Sequence, residues 1–235
     1  MTDHETRQQV ALASRVLGAN GHDDHVWGHV SLRDPAGRGV WMKRSGLGFE
    51  EITAADVLLV GWEGEVLEGD GPRHSEWPIH TEILTARPEL AAVVHSHPPH
   101  GIAIGATQEP LRPLSHAGTL FVPPEVPRFD LTANLIVTAE LGGALADSLG
   151  TASACFMVNH GIVTAGPTIQ EAVVRAILFE KACQQQVLTA QVGSPATWPD
   201  DEASLAKRAT VWPPAHLEHL WNYLVRRLEA EEAAR

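Results

Sequence analysis

The stretch Leu90-Ala91-Ala92-Val93-Val94-His95-Ser96-His97 is the most informative part of the sequence. Its apolar run predicts a buried strand that ends in two histidines. Because residues i and i+2 of a strand point to the same face, His95 and His97 present two imidazoles to one side of a sheet. Two neutral imidazoles so placed are typical ligands for one divalent transition-metal ion.

A second apolar run, Ala154-Cys155-Phe156-Met157-Val158, ends in Asn159-His160-Gly161 and offers a third imidazole in the same local setting. Three histidines with one open position are typical of a catalytic metal site, whereas a structural site is closed by four protein ligands. The sequence therefore predicts a metal enzyme.

The composition predicts one folded domain over residues 1–235, in which residues 194–235 form a linker and a C-terminal helix. The net charge of −12 argues against a nucleic-acid partner. No apolar segment reaches the roughly 18 residues needed to cross a bilayer, so no membrane partner is expected. Only two cysteines occur, Cys155 and Cys183, and this low number favours a reducing cytoplasm.

Short apolar strands separated by turns predict hairpins, and hairpins favour a largely antiparallel sheet with helices packed on its faces. The proline-rich segment 107–130 is expected to be a long ordered loop with short strands. A long helix is expected over 169–192, opened by Thr168 with Glu171 three residues later. The last helix is expected over 216–234.

Several motifs resemble the class II aldolase/adducin superfamily: His74-Ser75-Glu76-Trp77-Pro78-Ile79-His80, Arg87-Pro88-Glu89, Val93-Val94-His95-Ser96-His97 and Val158-Asn159-His160-Gly161. This resemblance implies an α/β fold of three α/β/α layers around a central, mainly antiparallel sheet. It also implies a C4 homotetramer with active sites at subunit interfaces.

The same resemblance implies one divalent metal per subunit (Zn, Mn, Co or Fe(II)), held by His95, His97 and His160. Glu76 is then the acid/base residue or a labile fourth ligand. These roles agree with general chemistry, because a metal stabilises the negative charge that develops when a carbon–carbon bond breaks, and a nearby carboxylate can move one proton.

Two motifs differ from those of the sugar-phosphate members of the superfamily. Gly28-His29-Val30-Ser31 stands where those relatives have Gly-Asn-x-Ser, and His74-Ser75-Glu76 where they carry Ser-Ser-Glu. Two histidine rings leave less room for a phosphate. The Gly-His form is similar to the decarboxylase branch, which acts on aromatic dicarboxylates such as dihydroxyphthalate or hydroxy-methylpyridine dicarboxylate.

The substrate is therefore expected to be a small acidic molecule held around the metal. Members of the fuculose-phosphate type supply a tyrosine from a neighbouring subunit, but the corresponding stretch here, Leu114-Ser115-His116-Ala117, has none, and Tyr223 is the only tyrosine in the chain. His80 is either a residue that supports the site from behind or an ordinary helix residue, and we favour the second interpretation. The expected substrate-binding residues are His29, Ser31, Arg44, Ser45, Gly46, His74, Ser75, His116 and Tyr223.

These observations predict a divalent-metal-dependent carbon–carbon lyase that decarboxylates a small hydroxylated aromatic or heteroaromatic (di)carboxylic acid. The first alternative is a retro-aldolase on a hydroxy-keto acid or sugar derivative, which uses the same chemistry. An epimerase of a pentulose phosphate, an iron-dependent oxygenase and a non-catalytic interaction module of the adducin kind are further alternatives. The three histidines with Glu76 favour an enzyme over the interaction module.

Overall fold

The computed structural model describes residues 2–193 and 197–234, and within them the chain forms one eight-stranded sheet. The strand order is β4-β3-β2-β1-β5-β8-β7-β6. Neighbouring strands are antiparallel except for the pair β6 and β7, so the predicted mainly antiparallel sheet is confirmed. The strands are β1 (His29–Arg33), β2 (Gly39–Lys43), β3 (Val57–Gly61), β4 (Val66–Glu68), β5 (Ala92–Ser96), β6 (Arg128–Phe129), β7 (Ala154–Met157) and β8 (Gly161–Gly166).

Helices cover both faces of this sheet. Alternate strand residues point to opposite faces. Met42 packs with α2 (Trp77–Ala86) and α5 (Ala139–Leu149) on one side, whereas Trp41 packs with α1 (Asp3–Leu17) and α6 (Ile169–Val192) on the other. The expected α/β/α layering is confirmed. The helices of the described residues are α1 (Asp3–Leu17), α2 (Trp77–Ala86), α3 (Pro99–Gly105), α4 (His116–Phe121), α5 (Ala139–Leu149), α6 (Ile169–Val192), α7 (Asp201–Val211) and α8 (Pro214–Ala233).

Helix α6 shows how local signals set its ends. The Thr168 hydroxyl oxygen accepts a hydrogen bond from the Glu171 backbone N–H at 3.1 Å, which satisfies one of the free N–H groups of the first turn. The helix ends before Gly193. Both ends lie where the sequence predicts them.

Two helices were not expected from the sequence. Helix α4 lies inside the predicted loop 107–130, and it is too short to show an apolar period, although Ser115 caps it by accepting from the Gly118 N–H at 3.3 Å. Helix α7 precedes α8 and buries only Ser204 against the rest of the chain, so it also lacks an apolar stripe. Of the predicted linker at Ser194–Asp201, residues 194–196 lie outside the described residues.

A membrane-spanning helix is not found: over residues 2–193 and 197–234, no helix is both long enough and apolar enough to cross a bilayer.

The pairing of β1 with β5 determines where the histidines meet. Its register sets His29 directly opposite His95, and β8 pairs with the other edge of β5. The first turn of α2, which follows Glu76, faces the same end of β5. The polar end of the central strand is thus surrounded by three neighbouring segments.

Candidate metal centre

The two histidines at the end of β5 face each other. His95 is fully buried, and His97 follows the last strand residue. Their Nε2 atoms lie 3.0 Å apart. The predicted arrangement on one face of the strand is therefore present.

The third histidine lies on the tight turn that joins β7 to β8. Asn159 has a positive φ of 57°, and the His160 N–H donates to the Met157 carbonyl at 3.0 Å, which closes the turn. The turn comes so near to β5 that a Cβ atom at Gly161 would lie 2.5 Å from the Ser96 carbonyl oxygen. The absence of a side chain at this position brings His160 within coordinating reach of the other two histidines, with all three ligand atoms within 4.8 Å of one another.

Hydrogen bonds at the Nδ1 atoms of His95 and His97 decide which nitrogen of each ring carries the hydrogen. The Nδ1 atom of His95 lies 3.0 Å from the Ile162 carbonyl oxygen, and that of His97 lies 3.0 Å from an Asp24 carboxylate oxygen. Both partners accept, so each Nδ1 carries the hydrogen. Burial lowers the pKa of His95 well below its ordinary value and also lowers the pKa of His97, so the rings are neutral near pH 7.

Each ring then points an Nε2 lone pair at the other across 3.0 Å. Two lone pairs at this distance repel unless a cation lies between or beside them. Metal-ligating histidines in proteins commonly donate their other N–H to a carbonyl or carboxylate in this way. The donor set therefore fits a divalent transition-metal ion bound through three imidazole nitrogens.

Glu76 brings a carboxylate to the same point. It is 6% exposed, and its oxygens lie 3.5 Å from His160 Nε2 and 3.7 Å from His95 Nε2. It does not cap α2, at whose start it stands, but accepts a hydrogen bond from the Ile136 N–H at 2.9 Å. Burial raises the pKa of the Glu76 carboxyl to about 7, which suits a group that both takes and gives a proton near neutrality.

A second group of histidines lies behind Glu76. His29 Nδ1 is 2.6 Å from His80 Nε2, and His80 Nδ1 is 2.6 Å from the Ser31 hydroxyl oxygen. The His74 ring lies against His29, with centroids 4.5 Å apart. His29 Nε2 is 3.9 Å from the nearer Glu76 oxygen, so this group adjoins the carboxylate.

The side chains of several expected substrate residues make no hydrogen bond to this cluster within the described residues. The Arg44 carbonyl lies near His74, where it opposes the lowering of the His74 pKa by burial. Ser45 and Gly46 continue that segment into an exposed turn, and Ser75 is exposed beside Glu76.

His116 and Tyr223 lie on other elements. His116 is exposed at the first position of α4, and Tyr223 is 51% exposed on α8. In the described residues, neither side chain has a hydrogen bond or ion pair to the histidines or to Glu76.

Sequence reasoning missed one residue of this site and favoured the wrong one of two interpretations for another. Asp24 orients His97 from 73 positions away in the sequence, and no local signal marks it. The interpretation of His80 as an ordinary helix residue was wrong, since the ring is fully buried between His29 and Ser31. The i, i+4 spacing of Glu76 and His80, which places them on the same helix face, is a signal for it.

Comparison with known proteins agrees with this architecture. A family model described as Class II Aldolase and Adducin N-terminal domain matches residues 8–187. The chain belongs to this family. Membership of the class II aldolase and adducin family confirms the resemblance drawn from the motifs.

Relatives in this family carry several kinds of activity in their names, among them decarboxylase, aldolase and oxygenase. The 3,4-dihydroxyphthalate decarboxylase of Terrabacter sp. (strain DBF63) is 35% identical over 204 residues, covering 80% of this chain and 82% of the relative. The 5-methylthioribulose-1-phosphate/5-deoxyribulose-1-phosphate aldolase of Rhodospirillum rubrum is 30% identical over 192 residues, covering 81% and 84%. The L-fuculose 1-phosphate aldolase structure from Glaciozyma antarctica PI12 superposes with a TM-score of 0.85 at 26% identity, covering 98% of this chain and 91% of that one.

Proposed function

We propose that this protein is a divalent-metal-dependent carbon–carbon lyase that decarboxylates a small hydroxylated aromatic or heteroaromatic (di)carboxylic acid. The observation that carries the proposal is the pair of facing Nε2 atoms of His95 and His97, with the hydrogens of both rings committed to acceptors on the other side. A third imidazole and a carboxyl with a pKa of about 7 complete the set.

His95, His97 and His160 would hold the ion, with Zn, Mn, Co or Fe(II) all suited to these donors. When bound, a divalent ion supplies Lewis-acid charge that stabilises an oxyanion as the carbon–carbon bond breaks. Glu76 lies beside the same point, 3.5 Å from His160 Nε2, and burial raises the pKa of its carboxyl, so we assign it the proton transfer to the ring carbon.

His29 and His74 would receive the second carboxylate of the substrate. Both rings are almost fully buried, and His29 lies next to Glu76 with the His74 ring against it. We assign the outer contacts to Arg44, Ser45, Gly46 and Ser75. Ser31 is fully buried behind His80, so its contribution is made through that ring and not by touching substrate.

We also propose a homotetramer of C4 symmetry with active sites at the subunit interfaces. His116 and Tyr223 are exposed away from their own subunit's cluster, which leaves them available to a neighbouring copy. Size-exclusion chromatography with light scattering tests the assembly directly, and a monomer that is fully active would contradict it. Cys155 and Cys183 are buried free thiols, which fits the reducing cytoplasm that we propose as the location.

An aldolase reaction is the second candidate, because a relative 30% identical is a sugar-phosphate aldolase. The two reactions differ in the group that leaves. Hydroxylated aromatic acids should be screened for carbon dioxide release with Mn, Zn, Co or Fe(II) added, beside hydroxy-keto acids and sugar phosphates screened for aldehyde release. Release of aldehyde without carbon dioxide would replace the decarboxylase proposal, and oxygen consumption would indicate an oxygenase.

Replacing Glu76 tests the proton transfer. Glu76→Gln keeps the size and the hydrogen-bond acceptor for the Ile136 N–H but removes the titrating group, so we expect metal content to be retained and kcat to fall by about 100-fold or more. Glu82→Gln, on the same helix but outside the cluster, is the matched control. Full turnover in Glu76→Gln would remove Glu76 from the mechanism.

A further inference from the structure

Ser31, His80 and His29 form a continuous chain of hydrogen bonds that the proposed metal chemistry does not use. Its two links are both 2.6 Å long, from the Ser31 oxygen to His80 Nδ1 and from His80 Nε2 to His29 Nδ1. Ser31 and His80 are fully buried and His29 is 2% exposed, so each polar atom must find its partner within the protein. When both rings are neutral, the hydrogens along this chain can run in two directions, and the Val93 carbonyl near His80 is a competing acceptor outside the chain.

The surroundings of Ser31 favour one of the two directions in which the hydrogen bonds of this chain can be donated, from Ser31 towards His29. Within residues 2–193 and 197–234, His80 is the hydrogen-bond partner of the Ser31 hydroxyl, and no second acceptor bonds to it. If His80 Nδ1 carried a hydrogen and donated it to Ser31, the hydroxyl hydrogen would be buried without an acceptor. If the hydroxyl donates to His80 Nδ1, that loss is avoided, and the His80 hydrogen lies on Nε2.

The consequence passes along the chain to the active site. His80 Nε2–H donates to His29 Nδ1, so a neutral His29 must carry its own hydrogen on Nε2. That nitrogen faces Glu76, whose nearer oxygen lies 3.9 Å away. When Glu76 is ionised, the opposite direction sets an Nε2 lone pair against the carboxylate, so in that state both ends of the chain favour the same arrangement.

We infer that Ser31 and His80 are positioning residues that hold His29 as its Nε2–H tautomer, so that His29 donates a hydrogen bond to an anionic oxygen of the substrate. The acceptor would be a carboxylate or phenolate oxygen of the substrate within hydrogen-bond reach of His29 Nε2. The substrate half of this inference rests on the proposed function, whereas the tautomer is a property of the protein alone.

The tautomer can be read directly by nitrogen NMR on protein labelled with ¹⁵N-histidine and loaded with Zn(II), which is diamagnetic. His29 and His80 are assigned by difference from His29→Gln and His80→Gln. We expect both rings to show a protonated Nε2 and an unprotonated Nδ1 at pH 7. A hydrogen on His80 Nδ1, donated to Ser31 or to the nearby Val93 carbonyl, would overturn the inference whatever reaction the enzyme performs.

The variant Ser31→Ala then tests whether the Ser31 hydroxyl sets the tautomer of His29. It removes the terminal donor, so both tautomers of His29 become accessible, whereas Ser31→Thr keeps the hydroxyl and should keep the wild-type spectrum. Ser14→Ala is the matched control, because Ser14 is equally buried but bonds only within α1. An unchanged His29 spectrum in Ser31→Ala would refute the positioning role.

Kinetics link the tautomer to the substrate. If the two tautomers become equally populated, only half of the molecules present the donor, so KM for an acidic substrate should rise about twofold while kcat is retained. A fall in kcat without a change in KM would contradict the donor role of His29. A site that shows the expected tautomer but releases no carbon dioxide from any acid would refute the proposed decarboxylase without refuting the tautomer.

Discussion

The site contains two groups of histidines, and they differ in whether the ring nitrogen that faces the site carries a hydrogen or a lone pair. His95 and His97 give their hydrogens to a backbone carbonyl and to Asp24, so their free nitrogens are lone pairs. In our interpretation His29 receives a hydrogen from His80, whose Nε2 lies 2.6 Å from His29 Nδ1, and the free nitrogen of His29 is then an N–H donor. The same side chain is thus a metal ligand in one group and an anion donor in the other, and the neighbour on the far side of the ring decides which.

The largest expected effect comes from breaking the first group. His160→Ala removes one of three imidazoles, and we expect affinity for Zn(II) or Mn(II) to fall by more than about 100-fold, since outer partners alone are worth 10- to 100-fold. Isothermal titration calorimetry on metal-free protein measures it. His219→Ala, an exposed residue of α8, is the control. Equal affinity in His160→Ala and wild type would exclude His160 from the metal centre.

Asp24 sharpens the comparison, because one of its carboxylate oxygens contacts the ligand His97, whereas the other lies 3.2 Å from the exposed His25. Asp24→Ala frees the His97 ring and its tautomer, and we expect metal affinity to drop by about 10- to 100-fold. Its neighbour Asp23 is exposed, so Asp23→Ala controls for the loss of one negative charge in the same turn. If both variants weaken metal binding alike, the effect is general electrostatics and not orientation of His97.

Gly161 tests whether the close approach of the β7–β8 turn is needed. In Gly161→Ala the new methyl would meet the Ser96 carbonyl at 2.5 Å and the His97 ring at 2.8 Å. We expect a loss of roughly 1–3 kcal/mol in the free energy of unfolding, together with weaker metal binding. Gly143→Ala on α5, where a Cβ meets nothing within 4 Å, should instead keep or raise stability.

The buried histidines behind Glu76, His80 among them, predict that the stability of the metal-free protein depends on pH. Burial lowers the pKa of His80 to about 3, so between about pH 6.5 and pH 3 the unfolded chain binds a proton that the folded chain does not. Stability therefore falls as the pH falls through this window, by roughly 1.4 kcal/mol per pH unit for one such histidine.

Denaturant unfolding of the metal-free protein at pH 6.5, 5.5 and 4.5 measures this slope. His80→Gln should lower stability at pH 6.5 but show a shallower dependence on pH than the wild type. Parallel slopes for the two proteins would show that His80 titrates normally in the folded state.

Elements with a clear apolar period were predictable, and short or polar ones were not. The strand that leads to His95 and the helix that begins after Thr168 lie where their patterns place them. Helices α4 and α7 were missed because one is six residues long and the other buries a single side chain. Their positions depend on contacts with each other, such as the Arg208 guanidinium donating to the Thr119 carbonyl at 2.7 Å.

The sequence by itself determined the family, the sheet and the three histidines near one strand end. Strand alternation places His95 and His97 on one face whatever surrounds them. Only the tertiary structure decided which nitrogen of each ring is free. That choice depends on Asp24, Ile162 and His80, all at least 51 residues away in sequence from the rings they contact. Hydrogen-bond donors and acceptors over such distances are paired by packing of whole elements, and no local pattern encodes that packing.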